Sequence, residues 1–407
     1  MMSYVTHLEC ANCGRHYEAA RVHNLCAACQ RPLWVRYDLE GVKRAFSKES
    51  LAGRPATIWR YAELLPISDA AKIVTLGETM TPLLPAPRLG AEFGVRNLFV
   101  KDESRMPTGS FKARGMALAI SKAKEFGMTR VAVPTAGNAG GALAAYAARA
   151  GMEAYVFMPE DTPAINQKEC YLSGAKTYLV NGLINDCGRI VGEGKEVKGW
   201  FDVSTLKEPY RIEGKKTMGL ELAEQFSWEL PDVILYPTGG GTGLIGMWKA
   251  FAELEAIGWL KSPRKPKMIS CQSEGCAPIA RAFARGERFA EKFAGAATVA
   301  SGIRVPVAVG DFMILDAVRE SGGSALATPE ADIPKWMRLA NSLEGVALCP
   351  ETAVCLGALE ALLAQRAISP DDRVVVFNTG AAQKYPEAVR EELGRIDINE
   401  PIDWSRI

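Results

Sequence analysis

One lysine in the sequence has neighbours that seldom surround a surface lysine. Residues 107–115 read PTGSFKARG, so Lys112 directly follows Phe111, and most of the other neighbours are small, cyclic or hydroxylated. Apolar surroundings disfavour the charged form of an amine, which makes it a better base and nucleophile near neutral pH. We therefore interpret Lys112 as a lysine that the protein uses for its amine.

A glycine-rich segment further along the chain predicts an anion site. Residues 237–243 read PTGGGTG and lie between the apolar run VILYP and the helix-like stretch LIGMWKAF. Glycines at a helix start leave backbone amides open to a phosphate, and threonine hydroxyls add donors. The segment lacks the Lys-Ser/Thr ending of a nucleotide P-loop and the G-x-G-x-x-G spacing of a dinucleotide site. It therefore favours a phosphate monoester.

Two more loops carry polar side chains directly after strand-like runs. Residues 134–141 read PTAGNAGG, and Asn138 in this loop offers a side-chain amide to a ligand. Residues 377–385 read FNTGAAQKY, and Thr379 places a hydroxyl at the end of the preceding strand. A lysine amine, a glycine-rich phosphate loop and a group that faces a pyridine nitrogen are the parts of a pyridoxal 5′-phosphate site.

Short apolar runs and Ala-rich helical stretches, which would position these loops, alternate from about residue 75. Runs such as VAVP (131–134) and VILYP (233–237) predict strands, and MALAISKAKEF (116–126) predicts a helix. This alternation is typical of parallel sheets covered by helices, which bind ligands at the carboxyl ends of their strands. The length favours two sheets. Several glycines in residues 182–207 break the pattern, and we interpret that stretch as a return between domains.

The order of these motifs resembles that of the tryptophan-synthase-β-like family of pyridoxal-phosphate enzymes, and within it the plant-like type of threonine synthase. PTGSFK at 107–112 is similar to the family's segment around its Schiff-base lysine, and TAGN at 135–138 is similar to its S/T-x-G-N loop. RIEGKKT at 211–217 and TLGETMTPL at 75–83 resemble further motifs of the family. The resemblance covers nearly the whole chain.

The resemblance implies an α/β fold of the fold-type II class, with two open twisted sheets flanked by helices. It places a small zinc-ribbon-like module in residues 1–40 and a small α/β domain in residues 125–205. The large cofactor domain would comprise residues 72–124 and 206–407. Members of the family are usually dimeric, so we expect a homodimer.

The resemblance also implies a function, the conversion of O-phospho-L-homoserine and water to L-threonine and phosphate. Lys112 would hold the cofactor and then act as the base. The expected cofactor contacts are Lys112, Asn138, Thr238, Gly239, Gly240, Gly241, Thr242, Gly243 and Thr379. A phosphorylated substrate needs a second anion site, for which the candidates are Arg114, Lys168, Lys215 and Arg304. The expected substrate contacts are Ser110, Thr135, Lys215 and Arg304.

Some positions depart from the pattern of threonine synthases. Ala113 stands where an aspartate is frequent, and Gly380 and Ala381 stand where His-Gly is typical. The GGGTG loop is closer to that of some amino-acid dehydratases. A threonine or serine dehydratase, or a β-replacement synthase of the cysteate-synthase kind, is therefore the alternative. A catalytically idle binding protein is a third interpretation, and the intact Lys112 argues against it.

The N-terminal cysteines predict a structural metal site. Two C-x-x-C pairs, separated by twelve residues, can each present two thiolates to one tetrahedral zinc ion. Gly14 follows the first pair, where a tight turn requires it. Four thiolates leave no open position for water, so zinc would be structural here. The predicted ligands are Cys10, Cys13, Cys26 and Cys29.

Composition excludes several kinds of partner. The net charge is +1, which gives no electrostatic reason to expect nucleic acid or an anionic membrane. No apolar run reaches the roughly 18 residues of a membrane span, and the first residues do not read as a signal peptide. We therefore expect a cytoplasmic enzyme that acts on a small amino acid.

Overall fold

The computed structural model describes residues 3–391, 393–399, 401–402 and 404–406, whose strands form three sheets. The strands are β1 (Val5–Cys10), β2 (His16–Tyr17), β3 (Leu33–Tyr37), β4 (Leu83–Pro85), β5 (Asn97–Asp102), β6 (Arg130–Pro134), β7 (Glu153–Pro159), β8 (Lys176–Val180), β9 (Phe201–Asp202), β10 (Val233–Pro237), β11 (Lys267–Ser273), β12 (Ser324–Thr328) and β13 (Arg373–Asn378). The α-helices are α1 (Leu39–Ala45), α2 (Pro87–Phe93), α3 (Lys112–Glu125), α4 (Asn138–Ala150), α5 (Ala164–Leu172), α6 (Ile184–Lys198), α7 (Tyr210–Gln225), α8 (Thr242–Ala256), α9 (Pro278–Ala284), α10 (Asp311–Glu320), α11 (Ile333–Glu344) and α12 (Pro350–Ala364).

The N-terminal sheet is small and antiparallel, with the order β2-β1-β3. Its inward side chains, which include Leu8, Leu33 and Val35, are buried in the same apolar cluster as α3 and α4. This sheet is too small to bury a core of its own, so it depends on that docking. Asp38 caps the following helix α1, because its side chain accepts a hydrogen bond from Gly41 N.

The largest sheet has six strands in the order β12-β11-β10-β13-β5-β4. All neighbours are parallel except β4, which pairs antiparallel with β5 at one edge. The central strand β10 is buried at every position, and its Leu235 lies between Ile269 and Val376 in the register. Helices cover both faces, which explains why these strands are continuous apolar runs and not alternating ones.

The third sheet has four parallel strands in the order β8-β7-β6-β9. Helix α4 follows β6, and helix α6 connects β8 to β9. The carboxyl ends of β6, in this sheet, and of β10 and β13, in the six-stranded sheet, carry the three loops singled out in the sequence.

Helix α7 packs against both α3 and α8 and is buried along almost its whole length. A Cβ atom on Gly214 would lie 2.1 Å from the carbonyl oxygen of Arg114, so only glycine allows α7 to approach α3 this closely. Tight packing of α7 against α3 therefore fixes the backbone next to Lys112, at the end of the loop 107–112, which is called the lysine loop below.

The prediction of two open α/β sheets with an N-terminal module is confirmed. The expectation that the glycines in residues 182–207 break the alternation was wrong, because these residues contain α6 and β9, and their interpretation as a return between domains stays a prediction. Gly194 leaves room for the Trp200 ring, and Gly199 ends α6 in the left-handed conformation. The domain boundaries stay a prediction. Among the described residues, none of the helices combines the length and apolarity needed to cross a membrane.

Candidate functional site

A cavity of about 470 Å³ lies between the two larger sheets. Its walls come from the loops after β6, β10 and β13, from the first turn of α6, and from the segments 204–207 and 301–309. Lys112, Asn138 and Thr379 all line it. The structure thus brings together the three loops that lie far apart in the sequence.

Lys112 is half-buried at the first position of α3. Its Nζ lies 4.0 Å from the centre of the Phe111 ring. Burial, and next the positive charge of Arg211, lower the pKa of the Lys112 amine to about 8, against an upward contribution from the Glu351 carboxylate. The neutral fraction of this amine near physiological pH is therefore much larger than that of an ordinary lysine, which favours a role as nucleophile or base.

Backbone hydrogen bonds tie the lysine loop to the loop that carries Thr379. Phe111 N donates to Thr379 O over 3.1 Å, and Ser110 forms an isolated bridge with Gly380. The Thr379 hydroxyl lies 3.7 Å from Cys349 Sγ, and Thr379 N donates to Thr352 Oγ1. The amine of Lys112 and the hydroxyl of Thr379 are therefore presented by one connected pair of loops.

The glycine-rich loop precedes α8, a helix of 15 residues. A Cβ atom on Gly239 would lie 2.9 Å from Val305 Cγ2, and one on Gly240 would lie 2.8 Å from Thr205 Cγ2. Glycine is needed at both positions because the loop approaches the opposite walls so closely. The first amides of a helix lack intrahelical acceptors, so they can bind a phosphate group.

Four of the predicted loop contacts line the cavity, namely Gly239, Gly240, Gly241 and Thr242. The other two lie behind the loop. The Thr238 hydroxyl donates to Tyr236 O, and a Cβ atom on Gly243 would meet the Tyr236 hydroxyl. Thr238 and Gly243 therefore fix the conformation of the loop and do not line the cavity.

Asn138 belongs to a chain of polar side chains along the cavity wall. Its Nδ2 donates to the Tyr385 hydroxyl over 2.8 Å, and Asn166 donates to its Oδ1 over 3.3 Å. Thr135 also lines the cavity, but its hydroxyl donates to Gly137 O and accepts from Gly137 N, so it mainly fixes the loop.

The remaining predicted substrate contacts are placed less favourably. Ser110 is fully buried and does not line the cavity. Lys215 Nζ donates to the carbonyl oxygens of Phe111 and Lys112, so it supports the lysine loop from below and does not reach the cavity. Arg304 does line the cavity, but each of its terminal nitrogens lies 2.9 Å from an oxygen of Asp161.

Two further candidates for the anion site are also explained by their positions. Arg114 is fully buried and forms ion pairs with Glu103 and Glu221, away from the cavity. Lys168 is exposed and does not line the cavity. Neither residue is available to a ligand in the cavity.

The sequence analysis missed several polar cavity residues. They are Asn185, Arg189, Ser204, Thr205, Lys207, Glu351 and Tyr385. Those in the segment 204–207 follow β9, a strand of two residues that is too short to produce a pattern. Glu351 carried a usable signal, because it is an acid directly after Pro350 at the start of a mostly apolar helix, α12.

The four N-terminal cysteines converge as predicted. Their Sγ atoms lie within 4.8 Å of one another, and Cys10 and Cys29 are 3.4 Å apart. Four thiolates at Zn–S distances of about 2.3 Å have S···S distances near 3.8 Å, so this arrangement fits zinc. Between the two cysteine pairs, the Asn24 amide donates to Asp202 O and Lys207 O, both over 2.8 Å. The module therefore contacts the segment that lines the cavity.

Comparisons with known proteins agree with this site. A family model described as "Pyridoxal-phosphate dependent enzyme" matches residues 74–380. The threonine synthase of Methanocaldococcus jannaschii is 34% identical over 380 residues, which cover 93% of this chain and 93% of the relative. The threonine synthase of Methanosarcina acetivorans is 34% identical over 384 residues, which cover 94% and 93% of the two chains.

Solved structures are similar in fold at lower identity. Maize serine racemase superimposes with a TM-score of 0.64 at 23% identity, over 74% of this chain and 88% of the racemase. The processed form of threonine deaminase isoform 2 from Solanum lycopersicum gives a TM-score of 0.66 at 21% identity, over 82% of this chain and 90% of the deaminase. At these identities the likeness establishes the fold alone.

Proposed function

The chain belongs to the family of pyridoxal-phosphate dependent enzymes, and from that premise we propose that it converts O-phospho-L-homoserine and water to L-threonine and phosphate. Two threonine synthases that match over more than nine tenths of this chain support the proposal. Supporting evidence from the cavity is that it offers places for two anions, one for the cofactor and one for the substrate.

The residues of the cavity fit pyridoxal 5′-phosphate. Lys112 supplies a partly neutral amine for the aldehyde, and Gly239 to Thr242, at the start of α8, line the cavity and would hold the phosphate group through their amides. When bound, the cofactor supplies the electron sink that makes removal of the Cα proton of an amino acid feasible. Lys112 then serves as the base that takes this proton, while Asn138 and Thr379 orient the ring.

The observation that carries the substrate assignment is a second group of cations across the cavity. Lys207 and Arg189 line the cavity together with Ser204 and Thr205, but Arg189 Nη1 lies 2.9 Å from Glu193 Oε1, so Lys207 is the main candidate. A Cβ atom on Gly188 would lie 3.9 Å from Lys207 Nζ, so this ammonium reaches the second turn of α6. Lys207 makes no ion pair with any described residue, so its ammonium is free for the phosphate of a substrate.

A dehydratase or β-replacement synthase is the second candidate. The GGGTG loop and Ala113 favour it, as does the ion pair that occupies Arg304. The two candidates differ in their need for a phosphate group. A dehydratase acts on L-threonine or L-serine and has no use for the Lys207 ammonium.

Substrate profiles of the wild-type protein and the Lys207→Met variant test the proposal. We expect phosphate and threonine in equal amounts from O-phospho-L-homoserine, and a rise in KM of roughly tenfold or more in the variant, because a charge-assisted contact is lost. Lys198→Met, on the exposed end of α6, is the matched control and retains the wild-type KM. Formation of 2-oxo acids from L-threonine or L-serine, with no threonine from the phosphorylated substrate, would establish the second candidate.

We infer further that the four N-terminal cysteines hold one structural zinc ion, and that the enzyme is a cytoplasmic homodimer. The convergence of the four thiols supports the zinc site. The dimer and the location follow from the family resemblance. Metal analysis of the purified protein, with Cys13→Ser as the variant that loses the ion, and light scattering test the first two inferences.

A further inference from the structure

Glu351 is a buried acid in the cavity for which the proposed function has no role so far. It is the second residue of α12, its exposed fraction is 3%, and it lines the cavity with Lys112 and Thr379. Most other side chains of this helix are apolar and buried. The start of a helix favours a carboxylate, because the helix dipole is positive there.

The backbone fixes one oxygen of the carboxylate. Glu351 Oε1 accepts a hydrogen bond of 2.7 Å from Gly302 N, which belongs to another wall of the cavity. Oε2 is buried and has no hydrogen-bond partner among the described residues. An unpartnered carboxylate oxygen in a buried site costs free energy, so a role in ligand binding or catalysis would explain its presence.

The groups around Glu351 are cationic, hydroxyl and thiol groups. Arg211 and Lys384 lower the pKa of the Lys112 amine, and Glu351 acts on it in the opposite direction. The Tyr385 hydroxyl, which accepts from Asn138, and the Cys349 thiol lie within hydrogen-bonding reach of the Glu351 carboxylate. None of the described cations forms an ion pair with Glu351.

We propose that Glu351 is a second proton-transfer group of this cavity, and that it takes the proton from the carbon next to Cα while Lys112 takes the Cα proton. This inference rests on the proposed function, because conversion of a γ-phosphorylated amino acid to threonine moves protons at the α, β and γ carbons. The free Oε2 of Glu351 is the acceptor that the cavity offers for the second of these protons.

The atoms and electrons balance. The C–H bond at the β carbon breaks, its proton passes to Glu351 Oε2, and its electron pair forms the double bond that expels phosphate from the γ carbon. Glu351 then returns this proton to the γ carbon, which becomes the methyl group, and the electron pair left by removal of the Cα proton forms the double bond between the α and β carbons. Water adds its hydroxyl to the β carbon, its remaining proton passes to the phosphate, and Lys112 returns its proton to Cα.

Two substitutions separate proton transfer from a purely structural role. In Glu351→Gln the amide oxygen still accepts from Gly302 N, but the side chain can no longer take up a proton. In Glu351→Asp the carboxylate is kept, but the shorter side chain loses the Gly302 contact. Proton transfer predicts that Asp retains more activity than Gln, whereas an anchoring role predicts the reverse order.

Hydrogen exchange of L-2-aminobutyrate in heavy water, followed by NMR, tests the inference on the holoenzyme. This probe has no leaving group, so exchange at its α and β carbons reports the two proton transfers separately. We expect wild-type enzyme to exchange both positions. Glu351→Gln should exchange the α position at near the wild-type rate and the β position at least 100-fold more slowly.

Glu169→Gln is the matched control. Glu169 also has one buried oxygen without a partner, but it does not line the cavity, so both exchanges should persist. Retained β exchange in Glu351→Gln, absence of β exchange in the wild type, or loss of the yellow cofactor absorbance in both Glu351 variants would overturn the inference. A failure of the proposed function appears differently, as the absence of threonine from O-phospho-L-homoserine with the wild-type enzyme.

Discussion

Two sets of buried charged side chains lie near α3. The side chains of one set form ion pairs with each other, whereas those of the other set do not. The paired cluster consists of Lys101, Glu103, Arg114 and Glu221, and all four side chains are fully buried. The cavity charges are Lys112 and Glu351, and Arg211, which is buried and does not line the cavity, acts on the charge of Lys112. Lys112 and Arg114 are two residues apart on the same helix, yet only Arg114 has carboxylate partners.

Almost every charged atom of the paired cluster has a partner of opposite charge. Arg114 forms ion pairs of 2.6 Å with both Glu103 and Glu221, and Lys101 lies 2.8 Å from Glu221. Burial alone would lower the pKa of Arg114, but the two carboxylates outweigh it and hold that pKa above its ordinary value. These charges therefore stay ionised and hold α3, α7 and β5 together.

The cavity charges are left incomplete. The Nε and Nη2 atoms of Arg211 and the Oε2 atom of Glu351 have no partners among the described residues. Burial lowers the pKa of Arg211, although Glu208 and Asp202 act in the opposite direction. The protein therefore pairs its buried charges where they hold helices together and leaves them unpaired in the cavity and next to Lys112.

Removal of Lys112 should have the largest effect on activity. We expect Lys112→Ala to lose roughly 10⁴-fold or more of the activity, because both the cofactor attachment and the base are lost. The yellow absorbance of the lysine-bound cofactor should disappear as well, which absorption spectroscopy measures. Lys124→Ala, on the same helix and outside the cavity, should keep both. A yellow Lys112→Ala protein would mean that another lysine holds the cofactor.

Removal of Arg114 should lower the stability of the protein and leave cofactor binding intact. Arg114→Leu leaves Glu103 and Glu221 buried without their partner, so the free energy of unfolding should fall by about 3–5 kcal/mol. Denaturant unfolding measures this loss. At low temperature the folded fraction should remain yellow, because Arg114 does not touch the cavity.

The control for this prediction is Arg105→Leu. Arg105 is exposed and pairs with the buried Asp102, which keeps its hydrogen bonds from Ser104 and Asn378 without Arg105, so the loss should be about 0–1 kcal/mol. Equal losses in the two variants would contradict the distinction between the paired cluster and surface pairs.

The pH dependence of the rate of cofactor binding should reveal the pKa of the Lys112 amine. Only the neutral amine reacts with an aldehyde, and burial lowers the pKa of Lys112 to about 8. The rate at which protein freed of cofactor takes up pyridoxal 5′-phosphate should therefore rise with pH and level off above about 8. Stopped-flow absorbance measures this rate. A rate that keeps rising towards the ordinary lysine pKa near 10.5 would contradict the unpaired environment.

The smallest effect should come from Asn24, an uncharged contact between the N-terminal module and the cavity wall. Asn24→Ala removes two hydrogen bonds to the segment that carries Ser204, Thr205 and Lys207, each worth about 1 kcal/mol. We expect a rise in KM of several fold with kcat within about twofold. Asn12→Ala, on the exposed side of the module, is the control. A fall in kcat without a change in KM would contradict a role for Asn24 in positioning the wall.

Much of the fold and part of the site could be predicted from local sequence. The parallel sheets follow from apolar runs that alternate with helical stretches, and PTGSFK and PTGGGTG stand out by composition alone. Lys112, Asn138 and Thr379 were found because each follows such a signal, and the structure brings them together in one cavity. Their functional roles stay predictions.

The rest depends on contacts that a single sequence does not reveal. Whether a lysine or arginine is paired depends on residues that are distant in the sequence. Lys215 and Arg114 were therefore predicted to bind a ligand, although Lys215 binds the Phe111 carbonyl oxygen and Arg114 forms an ion pair with Glu103. Lys207 was missed for the converse reason, because β9 before it is too short to leave a pattern. Helix α6 was not predicted because its glycines indicate a break. One of them, Gly194, is needed because the Trp200 ring packs closely against the helix.

The most direct test of the central claim is turnover of O-phospho-L-homoserine in water enriched in oxygen-18, with both products analysed by mass spectrometry. Water would add to the β carbon, so we predict that threonine carries the heavy oxygen in its hydroxyl group and that phosphate carries none. Heavy oxygen in the phosphate, with homoserine as the second product, would reveal simple ester hydrolysis. That result would contradict the account of this cavity as a threonine-forming site.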